Sequence, residues 1–159
     1  MSQSHLPQET QQGYDAPQVR QFSIFLENRV GRLLDVLRLF DDASDIDIHG
    51  LAVMESSDCA VVRIIPNDDN ATRLLLRNST YAFAETDLLV VELSDEQPLS
   101  NVCLYLLGAE LNIHFMYPLM TGGTLAEGGR IALSVDDNTF AGQILRRKGF
   151  RLLGAGELD

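Results

Sequence analysis

An α+β chain made of two copies of one strand–helix–strand–strand–helix–strand unit is what the sequence predicts, and three observations predict it. Across residues 22–40 the apolar period changes from 2 to 3.6: Phe22, Ile24 and Leu26 alternate as in a strand, then Leu33, Val36, Leu37 and Phe40 recur at helical spacing. From Leu88 the same succession of patterns begins again. Matching positions of the two runs keep a nearly constant separation, which constrains architecture more than any single propensity does. Asn28 matches Asp95, Gly31 matches Pro98, Leu37 matches Leu104 and Ile46 matches Ile113, each 67 positions on (95 − 28); Asp68-Asp69-Asn70 matches Asp136-Asp137-Asn138 at 68.

The elements follow in order. Residues 1–18 are rich in Gln and Ser, carry Pro7 and Pro17 and have no apolar core segment, so they read as a flexible leader and not as a signal peptide. The first unit, over 19–87, opens with the strand and helix already described. A polar break over 41–45 leads to a strand over 46–54, bent or bulged at Gly50. Turn residues over 55–58 precede an apolar strand over 59–65 that Pro66 stops. Asp68, Asp69 or Asn70 can cap the next helix, in which Ala71, Leu74, Leu75 and Asn78 keep the period, and a strand over 81–85 closes the unit.

The second unit, over 88–159, repeats this with strands over 88–93, 113–119, 130–135 and 150–153 and helices near 102–107 and 140–147. Its first helix differs from that of the first unit. Val102-Cys103-Leu104-Tyr105-Leu106-Leu107 is apolar almost all round, whereas Arg32, Asp35, Arg38 and Asp42 give the earlier helix a wet face. A helix with two apolar faces calls for two partners, inside the chain or in a homodimer.

The turn between the first strand and helix has chemistry of its own. Gly31 permits a positive φ or a close approach of the main chain, and the helix after it offers unpaired N–H groups at the positive end of its dipole. Such a place suits a carboxylate. Asn28, with a side-chain carbonyl that accepts from an ammonium group, stands at the strand's end, so the pair could hold a free amino acid by both charged ends. A turn glycine and a helix cap explain the same residues without any ligand. The second copy, Asp95-Glu96-Gln97-Pro98, has no glycine and an added carboxylate that repels an anion, so the two turns are not equivalent.

Composition excludes several function classes. The chain has 159 residues and a formal charge of −11, with a pI near 4.5, and such an acidic surface repels a phosphate backbone or an anionic membrane. No apolar run approaches the roughly 20 residues of a spanning helix, and cytoplasmic residence is the default expectation. Cys59 and Cys103 are single and read as small apolar residues, not as a disulfide. His5, His49 and His114 show no ligand spacing, so neither a metal nor another cofactor is expected. The run over 122–129 is rich in glycine but lacks the Gly-Lys-Ser/Thr ending of a phosphate loop and lies between two strands, as a hairpin loop does.

With its order of elements, the segment Phe25-Leu26-Glu27-Asn28-Arg29-Val30-Gly31-Arg32-Leu33 and the following Asp45-Ile46-Asp47-Ile48, each unit resembles the ACT domain, a small ligand-binding regulatory module. The chain as a whole resembles a stand-alone tandem ACT protein, with Val30 where the family commonly has proline. The resemblance implies two ferredoxin-like units whose antiparallel sheets join side by side with helices on one face. It implies a non-enzymatic regulatory protein that binds a small molecule, an amino acid above all, where one unit's turn meets the other unit's second strand. The ligand's carboxylate would bond the main-chain amides over Val30, Gly31, Arg32 and Leu33, its ammonium would meet Asn28, and Arg29 would stand beside it. Its side chain would rest on Leu33, Phe115 and Met116, with His114 in the pocket wall. Two other readings are open: a structural or oligomerisation module without a ligand, and a small acetyltransferase. The last rests on Gly142-Gln143-Ile144-Leu145-Arg146-Arg147-Lys148-Gly149-Phe150-Arg151, weakly similar to the closing segment of such enzymes, although the upstream glycine turn is absent and basic residues before a Gly149 helix cap explain it as well.

Overall fold

A computed structural model describes residues 8–10, 13–27, 29–56, 58–125 and 127–159. The chain forms two compact units, one of Arg20–Thr86 and one of Asp87–Asp159 joined by Met1–Val19.

In the first unit β3 (Val19–Glu27) leads into α1 (Arg32–Asp41), then β4 (Ile48–Glu55), β5 (Cys59–Pro66), α2 (Asp69–Asn78) and the start of β6 (Ala82–Glu92). The strand order is β4-β5-β3-β6, with β3 and β4 both antiparallel to β5. This is the ferredoxin-like arrangement. Strand period and helix period bury one set of residues between the sheet and its two helices: Phe22, Ile24 and Leu26 of β3, Val62 and Ile64 of β5, Val36 and Phe40 of α1 and Leu76 of α2. Asp68 caps α2 by accepting from the Ala71 N–H at 3.0 Å. An ion cluster ties α2 to the sheet: Glu85 accepts from Arg73 at 2.6 and 2.8 Å and from Arg20 at 3.1 Å, and the Arg73 guanidinium lies 6.0 Å from the Phe22 ring.

The second unit repeats the order with the end of β6, α3 (Leu99–Gly108), β7 (Ile113–Pro118), β8 (Arg130–Val135), α4 (Asn138–Arg147) and β9 (Arg151–Leu152). β7 pairs β8, β8 pairs β6 and β6 pairs β9, all antiparallel. Leu89, Val91, Leu133, Val102, Leu106, Ala141 and Leu145 form its core.

Several expectations are corrected in detail. The two predicted strands over 81–85 and 88–93 are one strand of 11 residues, because no glycine or proline interrupts Thr86-Asp87. The bulge of β4 falls at His49 and not at Gly50, and β7 has its bulge at His114, so a histidine stands at the irregular position of each second strand. The first helices of the units are 67 positions apart (99 − 32), but the second helices and their caps, Asp68 and Asp137, are 69 apart (137 − 68) and not 68. The extra shift arises between the strands, where residues 119–129 replace the short turn over 56–58. That longer loop folds back on its own unit: Gly128 N–H donates to Leu93 C=O at 2.8 Å and Leu93 N–H to Gly129 C=O at 2.8 Å.

The segment expected to be a leader contributes to the second unit. β1 (Gln8–Thr10) and β2 (Gly13–Asp15) pair antiparallel, and Ala16, 5% exposed, belongs to the second unit's core. Gly142 in the middle of α4 makes room for it, since a Cβ there would lie 2.4 Å from the Ala16 Cβ.

Candidate functional site

The Gly31 turn is built by the end of β3 and the start of α1. Arg29 N–H donates to Glu27 C=O at 2.8 Å, closing the chain on itself, and Arg32 N–H donates to Arg29 C=O at 3.3 Å. Gly31 follows with φ 90° and ψ −11° as the N-cap of α1, and it supplies no side chain to cap the helix. The first N–H to reach back along the helix is that of Asp35, to Gly31 C=O at 3.0 Å. Among the described residues the Leu33 and Leu34 amides meet no acceptor, which leaves two donors at the positive helix end. Val30 is fully exposed above them. Asn28, expected to receive an ammonium group, lies outside the described residues.

Sequence reasoning did not single out Glu27 as a partner at this turn. Its carboxylate lies 3.3 Å from the Arg29 guanidinium and 3.7 Å from that of Arg32, all three at the surface. Exposed pairs of this kind contribute about 0–1 kcal/mol, so either guanidinium can exchange Glu27 for another carboxylate at small cost. The signal was available: Glu27-x-Arg29 and Arg32 place two cations within reach of a strand-end acid.

The equivalent turn of the second unit is shaped differently. Ser94 and Gln97 exchange main-chain hydrogen bonds at 3.1 and 3.2 Å, and Pro98 with φ −75° stands where Gly31 stands in the first unit. A cleft of about 380 Å³ is lined here by Ser94, Asp95, Pro98, Leu99, Ser100 and Leu125. Leu125 reaches it from the loop over 119–129, whose counterpart in the first unit is too short to reach a turn. The glycine turn is thus open within its own unit, whereas the proline turn is sheltered.

The three residues expected on the second strand part company. His114 Nε2 lies 2.7 Å from Asp136 Oδ1, while Asn112 N–H donates to Asp136 Oδ2 at 3.0 Å. These contacts, the Asn112 amide foremost and His114 next, hold the Asp136 carboxyl below its ordinary range. Phe115 stacks on Tyr117 with ring centroids 6.2 Å apart. Met116 packs against the core of its unit, on the face opposite Phe115, as strand alternation requires. His114 is exposed, and Phe115 and Met116 are both half-buried, Met116 against the core of its unit.

The segment similar to acetyltransferases is a helix end. Gly149 takes φ 92°, its N–H donates to Arg146 C=O at 2.9 Å and Phe150 N–H donates to Leu145 C=O at 3.0 Å, the paired bonds of a helix C-cap. Among the described residues no group of three or more His, Cys, Asp or Glu side chains could hold a metal, and no helix is long and apolar enough to cross a membrane.

Two units in one chain, each running strand, helix, strand, strand, helix, strand, define a class: tandem ferredoxin-like modules. The model of the ACT domain pair matches residues 18–146, and the protein belongs to that family. Its fold is shared with protein BT0572 from Bacteroides thetaiotaomicron, at a TM-score of 0.78 and 25% identity over 90% of this chain and 96% of that one. It is also similar to the ligand-free regulatory subunit of aspartate kinase from Thermus thermophilus, at a TM-score of 0.52 and 9% identity over 85% and 95% of the two chains. No curated protein matches the sequence.

Proposed function

We propose that this protein is a non-enzymatic sensor that binds a free amino acid through the Gly31 turn. The observation that carries the reading is the left-handed Gly31 at a helix start that, among the described residues, no side chain caps, with Arg29 and Arg32 beside it. A ligand carboxylate accepts from the Leu33 and Leu34 amides and takes the place of Glu27 against a guanidinium, gaining charge-assisted bonds that a neutral molecule cannot make. The released Glu27 carboxylate, with Asn28, then suits the ligand's ammonium group. The expected amides over Val30, Gly31, Arg32 and Leu33 shift one step along the helix in this scheme, because the Arg32 N–H is already bonded. His114 and Phe115 are proposed as specificity residues, and Met116 is not. Binding acts through linkage: a ligand that favours one arrangement of the chain shifts the population a partner meets.

Thermal melts against the free amino acids test this. A ligand at 100 times its Kd adds about 2.7 kcal/mol, roughly 5–10 °C for a chain of this length. The shift should vanish with the methyl ester, which lacks the carboxylate, and in Gly31→Val. A Cβ at Gly31 meets nothing within 4 Å, so that substitution acts through the backbone alone and leaves the core intact. Shifts with no amino acid at all would sink the reading.

A further inference from the structure

At the Gly31 turn a single carboxylate oxygen serves two cations. Glu27 Oε2 lies 3.3 Å from Arg29 Nε and 3.7 Å from Arg32 Nη2. Among the described residues neither guanidinium has another ion pair, and Asp35, one turn into α1, reaches neither. Two cations and one anion leave the cluster at +1, and the positive end of α1 adjoins it with the Leu33 and Leu34 amides open. On a chain of net charge −11 this is a local excess of positive charge, and it draws an anion.

Counting carboxylates decides which amino acid suits the cluster. A neutral amino acid brings one carboxylate and one ammonium. When Glu27 turns to the ammonium, the ligand's carboxylate meets the amides and one guanidinium, and the other guanidinium is left without an anion. A second carboxylate on the ligand removes that deficit. We infer, on the amino-acid reading of the Gly31 turn, that its ligand is a dicarboxylic amino acid of the aspartate or glutamate class. The α-carboxylate accepts from the Leu33 and Leu34 amides and from one arginine, and the side-chain carboxylate takes the position that Glu27 holds against the other. Guanidinium groups suit this exchange, because their planar fork matches a carboxylate with two parallel bonds. The ligand's net charge of −1 then cancels the +1 of the cluster. Asparagine or glutamine, of the same shape, leaves one arginine unpaired, and a cationic side chain is repelled by both.

The second unit makes no such offer. Between Ser94 and Ser100 its turn carries Asp95 and Glu96 and no cation, so an acidic ligand is repelled there. One acidic ligand per chain follows.

Isothermal titration of the full chain with aspartate, asparagine, glutamate and glutamine, at low and at high salt, tests it. One of the acids should bind about tenfold more tightly than its own amide, a difference of 1.4 kcal/mol, at one site per chain. High salt should narrow that ratio, because it screens exposed charges. Arg29→Gln and Arg32→Gln, each made alone, should bring the ratio toward one, since the remaining guanidinium then serves a single carboxylate. Without ligand both variants should melt close to the wild type, exposed pairs contributing about 0–1 kcal/mol. An amide that binds as tightly as its acid, or a preference for the acid that both arginine variants and high salt leave intact, overturns the inference and leaves the amino-acid reading standing. Binding of no amino acid removes both together. Two acids bound per chain overturn the assignment to this turn alone.

Discussion

At the scale of single residues, local chemistry was legible and long-range pairing was not. Gly31 was readable because one residue type supplies a positive φ between a strand and a helix, and φ is 90°. Glu85 was not, because its partners are Arg73 and Arg20, the latter 65 positions away, and nothing in a one-dimensional pattern joins them. That cluster has a pH signature. The hydrogen bonds from Arg73 chiefly, and from Arg20, lower the Glu85 pKa from 4.5 to about 2. A group whose folded pKa is depressed stabilises above its unfolded pKa, so the contribution is complete above pH 4.5 and lost as pH falls toward 2. The side chain is 23% exposed, and solvent screening reduces the full linkage value to about 1–2 kcal/mol. Glu85→Gln is expected to lose that amount at pH 7 and to approach the wild type near the lower end of the titration. Urea unfolding of both proteins at the two extremes of pH measures it; a difference independent of pH would show that the charge contributes nothing.

At the scale of elements, period and caps announced nearly every helix and strand, while connections and contacts between distant segments escaped. The caps Asp68 and Asp137 were visible as acidic clusters before an apolar period, yet which acid of each cluster caps, and hence the separation of 69, depends on the strands before them. The packing of Met116 against the core was legible from alternation with Phe115, whereas the bulge that seats His114 beside Asp136 was not. The sheltering of the second turn by Leu125 escaped because a glycine-rich run says that a loop turns, not where it goes. Gly142 shows the same limit from the other side. A mid-helix glycine costs about 1 kcal/mol relative to alanine, and no sequence feature explained one in α4. Ala16 does, since a methyl group at Gly142 would collide with it. Gly142→Ala should therefore be destabilising or neutral in the full chain, by about 0–2 kcal/mol. In a chain lacking residues 1–18 the collision is gone, and the same substitution should stabilise by roughly 0.5–1 kcal/mol. Denaturant titration of the four proteins gives the coupling between Ala16 and Gly142 directly. If alanine stabilises equally in both backgrounds, the opening segment does not lie against α4.

At the scale of the whole molecule, the doubled pattern made the architecture legible, but it concealed that Ala16, ahead of the first unit in sequence, packs with the second. A repeat suggests two consecutive modules, each built from its own stretch of sequence; instead Ala16 and Leu158 are both buried in the unit that includes Asp87–Asp159. The closing residues are held there by several contacts. Leu158 is 1% exposed and its C=O accepts from Arg130 at 2.7 Å, while Glu157 accepts from Arg151 at 3.1 Å and from the Gly154 N–H at 2.9 Å. Burying one leucine contributes about 1.5–3 kcal/mol, and the Arg130 bond adds about 1 kcal/mol. Deleting residues 155–159 should thus remove roughly 2–4 kcal/mol, a large part of a small unit's stability. The effect should be uneven. Amide hydrogen exchange is expected to quicken through β8, α4 and β9 while β4, β5 and α2 keep their protection, because opening follows cooperative units and not sequence distance. Equal acceleration in both units would mean that the chain unfolds as one body, and no acceleration would mean that its last turn is ornamental. A graded result, strongest at β8 where Arg130 loses its acceptor, is the one that the contacts of Arg130 require.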